Sequence, residues 1–88
     1  MSLSREDLVT WLAREANLDP ATLADDTPLF SGGLLDSLLL VDLLSWLEDA
    51  GGLKIAWHEV TLENIDTLAR ILTFCASRRA KPKLEVVG

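Results

Sequence analysis

The chain reads as an all-α four-helix bundle: three main helices, a short helix III, and a long loop between helices I and II. Three observations predict this. Apolar residues recur at helical spacing in three separate segments. Each segment is bounded by cap and stop residues. Apolar and polar residues alternate as in a strand only at Leu53-Lys54-Ile55-Ala56-Trp57, too briefly to build a sheet.

The first helix opens at Ser4, a capping residue, with Asp7 placed as in a capping box and Leu3 and Leu8 placed as a hydrophobic staple. Leu8, Trp11, Leu12 and Ala16 then fall on one face, which predicts an amphipathic helix. Asn17 and the Asp19-Pro20 step end it, because proline disfavours helix in the residue before it.

Residues 18–36 form a connection longer than most in compact domains. Asp19-Pro20-Ala21-Thr22-Leu23 predicts one helical turn with Asp19 as cap and Pro20 at its first position. Leu18, Leu23, Leu29 and Phe30 are spaced to pin the loop on the core. Thr27-Pro28 and Ser31-Gly32-Gly33 are turn signals, and Asp25-Asp26 reads as a solvated acidic pair.

Helix II is expected from Ser37 to about Ala50, with Asp36 as N-cap and Gly51-Gly52 as its stop. On a helical wheel Leu39, Leu40, Leu43, Leu44, Trp46 and Leu47 share one wide arc. Ser37, Asp42, Ser45, Glu48 and Asp49 share the opposite one. Leu38 and Val41 are apolar residues set within the polar arc. Leu53 and Ile55 are expected to turn inward from an extended connector, with Trp57 a third candidate. A short helical turn runs from about Thr61 to Ile65. Asp66 is read as the cap of a last helix with Leu68, Ile71, Leu72 and Cys75 on its stripe, and Arg78 and Arg79 at the favourable end of its dipole. Residues 1–79 are taken as the domain and 80–88 as a tail.

Composition bounds the chemistry. The 88 residues suit one small domain. One cysteine, Cys75, and one histidine, His58, leave no disulfide framework and no metal-ligand cluster. The fold must rest on apolar packing, for which 49% hydrophobic content provides. Residues 1–77 carry a net charge of −9 and residues 78–88 one of +3. An acidic body argues against binding nucleic-acid phosphates, and so against a helix-turn-helix reading. It suits encounters with basic protein surfaces. The lone cysteine fits a cytoplasmic setting, and no N-terminal apolar run suggests a signal or membrane segment.

Ser37 is the residue to explain. As a nucleophile it would need an adjacent base oriented by a third group, and His58 has no evident partner for that role. Two readings stay open from the residues: an ordinary helix-start serine, or an exposed hydroxyl that another enzyme modifies at the positive end of a helix dipole.

Asp36-Ser37-Leu38, opening the second of four helices after a Gly-rich loop, resembles the attachment motif of acyl and peptidyl carrier proteins. The resemblance covers roughly residues 4–78 and includes Ile65-Asp66 before the last helix. In that family the serine hydroxyl bears 4′-phosphopantetheine, donated from coenzyme A by a phosphopantetheinyl transferase. The arm's thiol then holds acyl or aminoacyl groups as thioesters. The resemblance implies that Ser37 is the attachment residue, with Asp36 and Leu38 its motif neighbours. It also implies a partner surface of Leu38, Val41, Asp42, Ser45, Glu48 and Asp49, and a monomer that visits loading and downstream biosynthetic enzymes. Many fatty-acid carriers have an acidic residue where this chain has Leu39. The segment looks more like stand-alone carriers, including D-alanyl and other aminoacyl carriers. The alternative expectation is an unmodified helical interaction module. Cys75, Trp11 and Trp46 read as core, and Trp57 and His58 as a border of the partner surface or acyl path.

Overall fold

A computed structural model describes residues 3–80. They form four α-helices: α1 (Arg5–Glu15), α2 (Ser37–Gly51), α3 (Leu62–Ile65) and α4 (Leu68–Ala80), with 3-10 turns at Pro20–Thr22 and Trp57–Glu59. No strand occurs among the described residues. Of the expected tail 80–88, Ala80 is the last residue of α4, and residues 81–88 lie outside the described residues.

Local chemistry sets the helix ends. Ser4 Oγ accepts from Asp7 N at 3.1 Å to start α1. At its far end Asn17 adopts φ 56°, the left-handed conformation that asparagine tolerates after a helix. Asp19 accepts from Ala21 N at 3.0 Å and Pro20 opens the 3-10 turn, as expected. Helix α2 closes at Gly52, whose N–H bonds the Glu48 carbonyl.

The core is drawn from all four α-helices and the long loop. Leu8, Leu12, Leu29, Leu43, Leu47, Leu68 and Ile71 are fully buried, joined by Leu23, Leu35, Leu44, Ile65, Phe74 and Cys75. Leu18 and Phe30 pack against this cluster, so the four loop anchors do pin the connection. Trp11 and Trp46 join α1 to α2 through a stacked pair with centroids 5.5 Å apart; such pairs add roughly 0.5–1.5 kcal/mol beyond their buried area.

Four expectations are corrected. Asp66 does not cap α4: Thr67 Oγ1 accepts from Arg70 N at 3.1 Å, while the Asp66 carboxylate turns back to the long loop. Trp57 does not turn inward. The connector ends in the 3-10 turn there, leaving the indole 70% exposed while Leu53 and Ile55 pack on the core. Asp25 is not merely solvated: its carboxylate accepts from Arg5 Nε and its carbonyl from Ala69 N, tying the loop to the starts of α1 and α4. Arg78 does not serve only the dipole of its own helix. It pairs with Glu59 at 2.8 Å and donates to the Lys54 carbonyl, fastening α4 to the connector.

Candidate functional site at the start of helix α2

The chain approaches Ser37 through a turn that only glycine can make. A Cβ on Gly32 would lie 2.4 Å from the Pro28 carbonyl oxygen, and Gly33 sits at φ 82°. The turn closes as Gly33 N donates to the Phe30 carbonyl, and both Leu34 N and Leu35 N donate to the Leu29 carbonyl. Leu35 is then buried at 5% exposure, an anchor that the sequence shows only as part of an apolar link. One residue later Asp36, in extended backbone, accepts from Leu39 N at 3.0 Å through its side chain. Its carbonyl takes Leu40 N at 2.9 Å.

Ser37 is therefore the first residue of α2, and it is exposed. The backbone N–H groups of Ser37 and Leu38 find no acceptor among the described residues, while those of Leu39 and Leu40 are taken by Asp36. Free leading N–H groups and the helix dipole together favour an anion at this point. A hydroxyl carrying a phosphodiester fits here: the residue is open to solvent and the charge meets the positive end of a fifteen-residue helix. His58, the one imidazole of the chain, is exposed in the 3-10 turn after the connector and makes no hydrogen bond with Ser37.

Along α2 the expected outer arc is open. Leu38 is 77% and Val41 52% exposed, and Asp42, Ser45 and Asp49 are exposed as well. Glu48 differs. It is half-buried, and its Oε2 accepts from Ile55 N at 2.8 Å, so one oxygen is committed to the connector. Leu39, at the edge of the inner arc, packs partly against the core.

Two residues extend this surface: Trp57, which the sequence places at its border, and Leu62, which the sequence does not single out. Trp57 closes a cleft of about 180 Å³ together with Val41, Leu44, Ser45, Glu48, Ile55 and Val60. Leu62, the first residue of α3, is 51% exposed. The signal for Leu62 was present but faint, since a four-residue helix has one inward position and Ile65 occupies it.

The loop is held by Asp66, which is 6% exposed. Its Oδ1 accepts from Phe30 N at 2.8 Å and Ser31 N at 3.0 Å, and its Oδ2 from Ser31 Oγ at 2.6 Å. Burial alone would raise its pKa. The bonds from Ser31 and Phe30, with Arg70 nearby, outweigh that and hold it below 3.8. Cys75 is buried on α4, and loss of solvent pushes its thiol up to about 11.

Comparison with known proteins meets the same residues. The family described as "Phosphopantetheine attachment site" matches residues 6–74. The D-alanyl carrier protein of Abiotrophia defectiva is 38% identical over 76 residues, covering 85% of this chain and 96% of that protein. No helix among the described residues is long and apolar enough to cross a membrane.

Proposed function

Because the chain belongs to the phosphopantetheine-attachment family of carrier proteins, we propose that Ser37 is the residue to which its arm is joined. The protein is a carrier, not a catalyst: it holds its cargo as a thioester on covalent 4′-phosphopantetheine and presents it to modifying and biosynthetic enzymes. The observation that carries the assignment of Ser37 is its position. It is the exposed first residue of α2, capped by Asp36 and lying within the matched segment.

The chain's own part in the chemistry is placement. Asp36 holds the first turn of α2, so the Ser37 hydroxyl keeps a fixed direction, and the free N–H groups of Ser37 and Leu38 lie where phosphodiester charge would sit. When bound, the arm supplies the thiol that forms the thioester. Proton transfers belong to the visiting enzymes. Leu38 and Val41 offer an apolar contact flanked by Asp42, Ser45, Glu48 and Asp49. Such a surface favours weak, fast, salt-sensitive docking to basic partners.

For cargo, likeness to a D-alanyl carrier protein favours a small aminoacyl group, loaded by an enzyme that activates the amino acid. The partners are then a phosphopantetheinyl transferase, that loading enzyme and an acceptor enzyme. The working form is a cytoplasmic monomer, a reading supported by the single, buried cysteine.

The test is incubation with coenzyme A, magnesium and a promiscuous phosphopantetheinyl transferase, followed by intact-mass analysis. A gain of one phosphopantetheine group that disappears in Ser37→Ala is expected. No gain, or a gain that persists in Ser37→Ala, overturns the assignment; absence of any gain is also what an unmodified interaction module predicts. Loading the modified protein with a panel of aminoacyl- and acyl-activating enzymes then reads out the cargo. Preference for a fatty acyl group would overturn the aminoacyl reading.

A further inference from the structure

Asp66 is the one polar residue buried among the described residues, and it stands at the α3–α4 junction, not at the helix carrying Ser37. We propose that Asp66 is a positioning residue for Ser37: by clasping the loop that leads into α2, it sets how the hydroxyl is offered for arm transfer. The inference rests on Ser37 being the attachment residue.

The clasp grips three consecutive residues. The Asp66 carbonyl accepts from Leu29 N at 2.7 Å, its Oδ1 from Phe30 N and Ser31 N, and its Oδ2 from Ser31 Oγ. Each link onward is also made. The Leu29 carbonyl takes the N–H groups of Leu34 and Leu35, the Phe30 carbonyl takes that of Gly33, and Leu35 is buried. Asp36 follows directly as the cap of α2, and Ser37 follows Asp36. From Asp66 to Ser37 the path runs through hydrogen bonds and buried anchors.

An apolar side chain at this junction would bury without the cost of desolvating a charge. What a carboxylate adds is direction. Two N–H groups and one hydroxyl must meet two oxygens, which selects one loop position among those a greasy contact would allow. None of the hydrogen bonds of Asp66 reaches the exposed arc of α2, where a transferase would dock. Releasing the clasp therefore lowers the fraction of time Ser37 is correctly offered while leaving docking intact.

Asparagine separates this role from charge. Its Oδ1 accepts the same two N–H groups, and its Nδ2 donates to Ser31 Oγ, which then acts as acceptor. The experiment measures steady-state transfer of the arm from coenzyme A onto wild type, Asp66→Ala, Asp66→Asn and Ile71→Val. The last is a core variant that lowers stability without removing any hydrogen bond of the clasp. All are assayed below their melting temperatures, with helix content checked by circular dichroism.

The expected result is kcat lower by about tenfold or more in Asp66→Ala, with KM for the carrier within about twofold of wild type, since only the competent fraction has changed. Asp66→Asn and Ile71→Val keep wild-type kcat. Wild-type kcat in Asp66→Ala, or equally slow transfer in Asp66→Asn or Ile71→Val, overturns the proposal. Should Asp66→Ala not fold, Ser31→Ala decides. It removes only the Oδ2 bond, so kcat must fall by about twofold or more, and an unchanged kcat overturns the proposal. A wild type that gains no arm on Ser37 defeats the attachment reading itself, whereas a modified wild type matched by Asp66→Ala defeats the clasp alone.

Discussion

Glu48 Oε2 accepts the backbone N–H of Ile55 at 2.8 Å, across the Gly51-Gly52 turn that ends α2. A carboxylate on the outer arc of α2 is thereby also a strut for the connector that carries Trp57. Its neighbours Asp42 and Asp49 are exposed and make no such bond. The acidic residues of α2 thus divide into a structural one and free ones.

That division predicts opposite phenotypes. Glu48→Ala should lower stability in urea by about 1 kcal/mol, the typical net worth of a hydrogen bond, and increase amide exchange at Ile55. Asp42→Asn and Asp49→Asn should leave stability within about 0.5 kcal/mol. They should slow association with a basic partner enzyme at low salt and lose that effect at high salt. Equal destabilisation by all three variants would remove the distinction.

The two glycines before Ser37 should fail for different reasons. Gly33→Ala meets no neighbouring atom but must hold φ 82°, at a cost of roughly 1 kcal/mol. Gly32→Ala places a Cβ against the Pro28 backbone oxygen, which has no side-chain freedom with which to yield. It should be the more damaging of the two, by about 1–3 kcal/mol, as for overpacked sites. Denaturant melts of the pair check the order.

Asp66 gives a signed dependence on pH. Its folded-state pKa is below the usual 3.8 because the Ser31 and Phe30 bonds, with Arg70, outweigh burial. The group therefore contributes stability that is fully present above the unfolded value. That stability is lost as pH falls from about 3.8 through the folded pKa. Asp66→Asn should be the less stable of the two at neutral pH, and the gap should narrow across that acid range because wild type alone loses the contribution of Asp66. Parallel curves for the two proteins would contradict the linkage.

The thiols should sort by environment. With its pKa raised to about 11 by burial, Cys75 stays protonated and shielded at neutral pH. The unmodified protein should react slowly with a thiol reagent, at a rate set by opening of the fold. The modified protein should show one additional fast thiol, that of the arm. Rapid labelling of Cys75 in the folded, unmodified chain would contradict its burial.

Much of this was legible from local chemistry. Helix periodicity, the Ser4, Asp19 and Asp36 caps and the two-arc sorting of α2 depend on residues within a turn or two of each other. Sequence spacing alone therefore predicts that Leu38 and Val41 stand out and that Ser37 begins its helix. Asp66 was misread because an acidic residue just before a helix has two possible acceptor roles. Capping competes with reaching across to a distant loop, and the outcome depends on which N–H groups the fold brings near. Glu48 belongs to the same class: its role as a strut appears only once the connector's path past α2 is known. Periodicity says which face a side chain takes, whereas contacts between residues distant in the chain arise from packing. Only the tertiary structure decided that the loop presenting Ser37 is held from the α3–α4 junction.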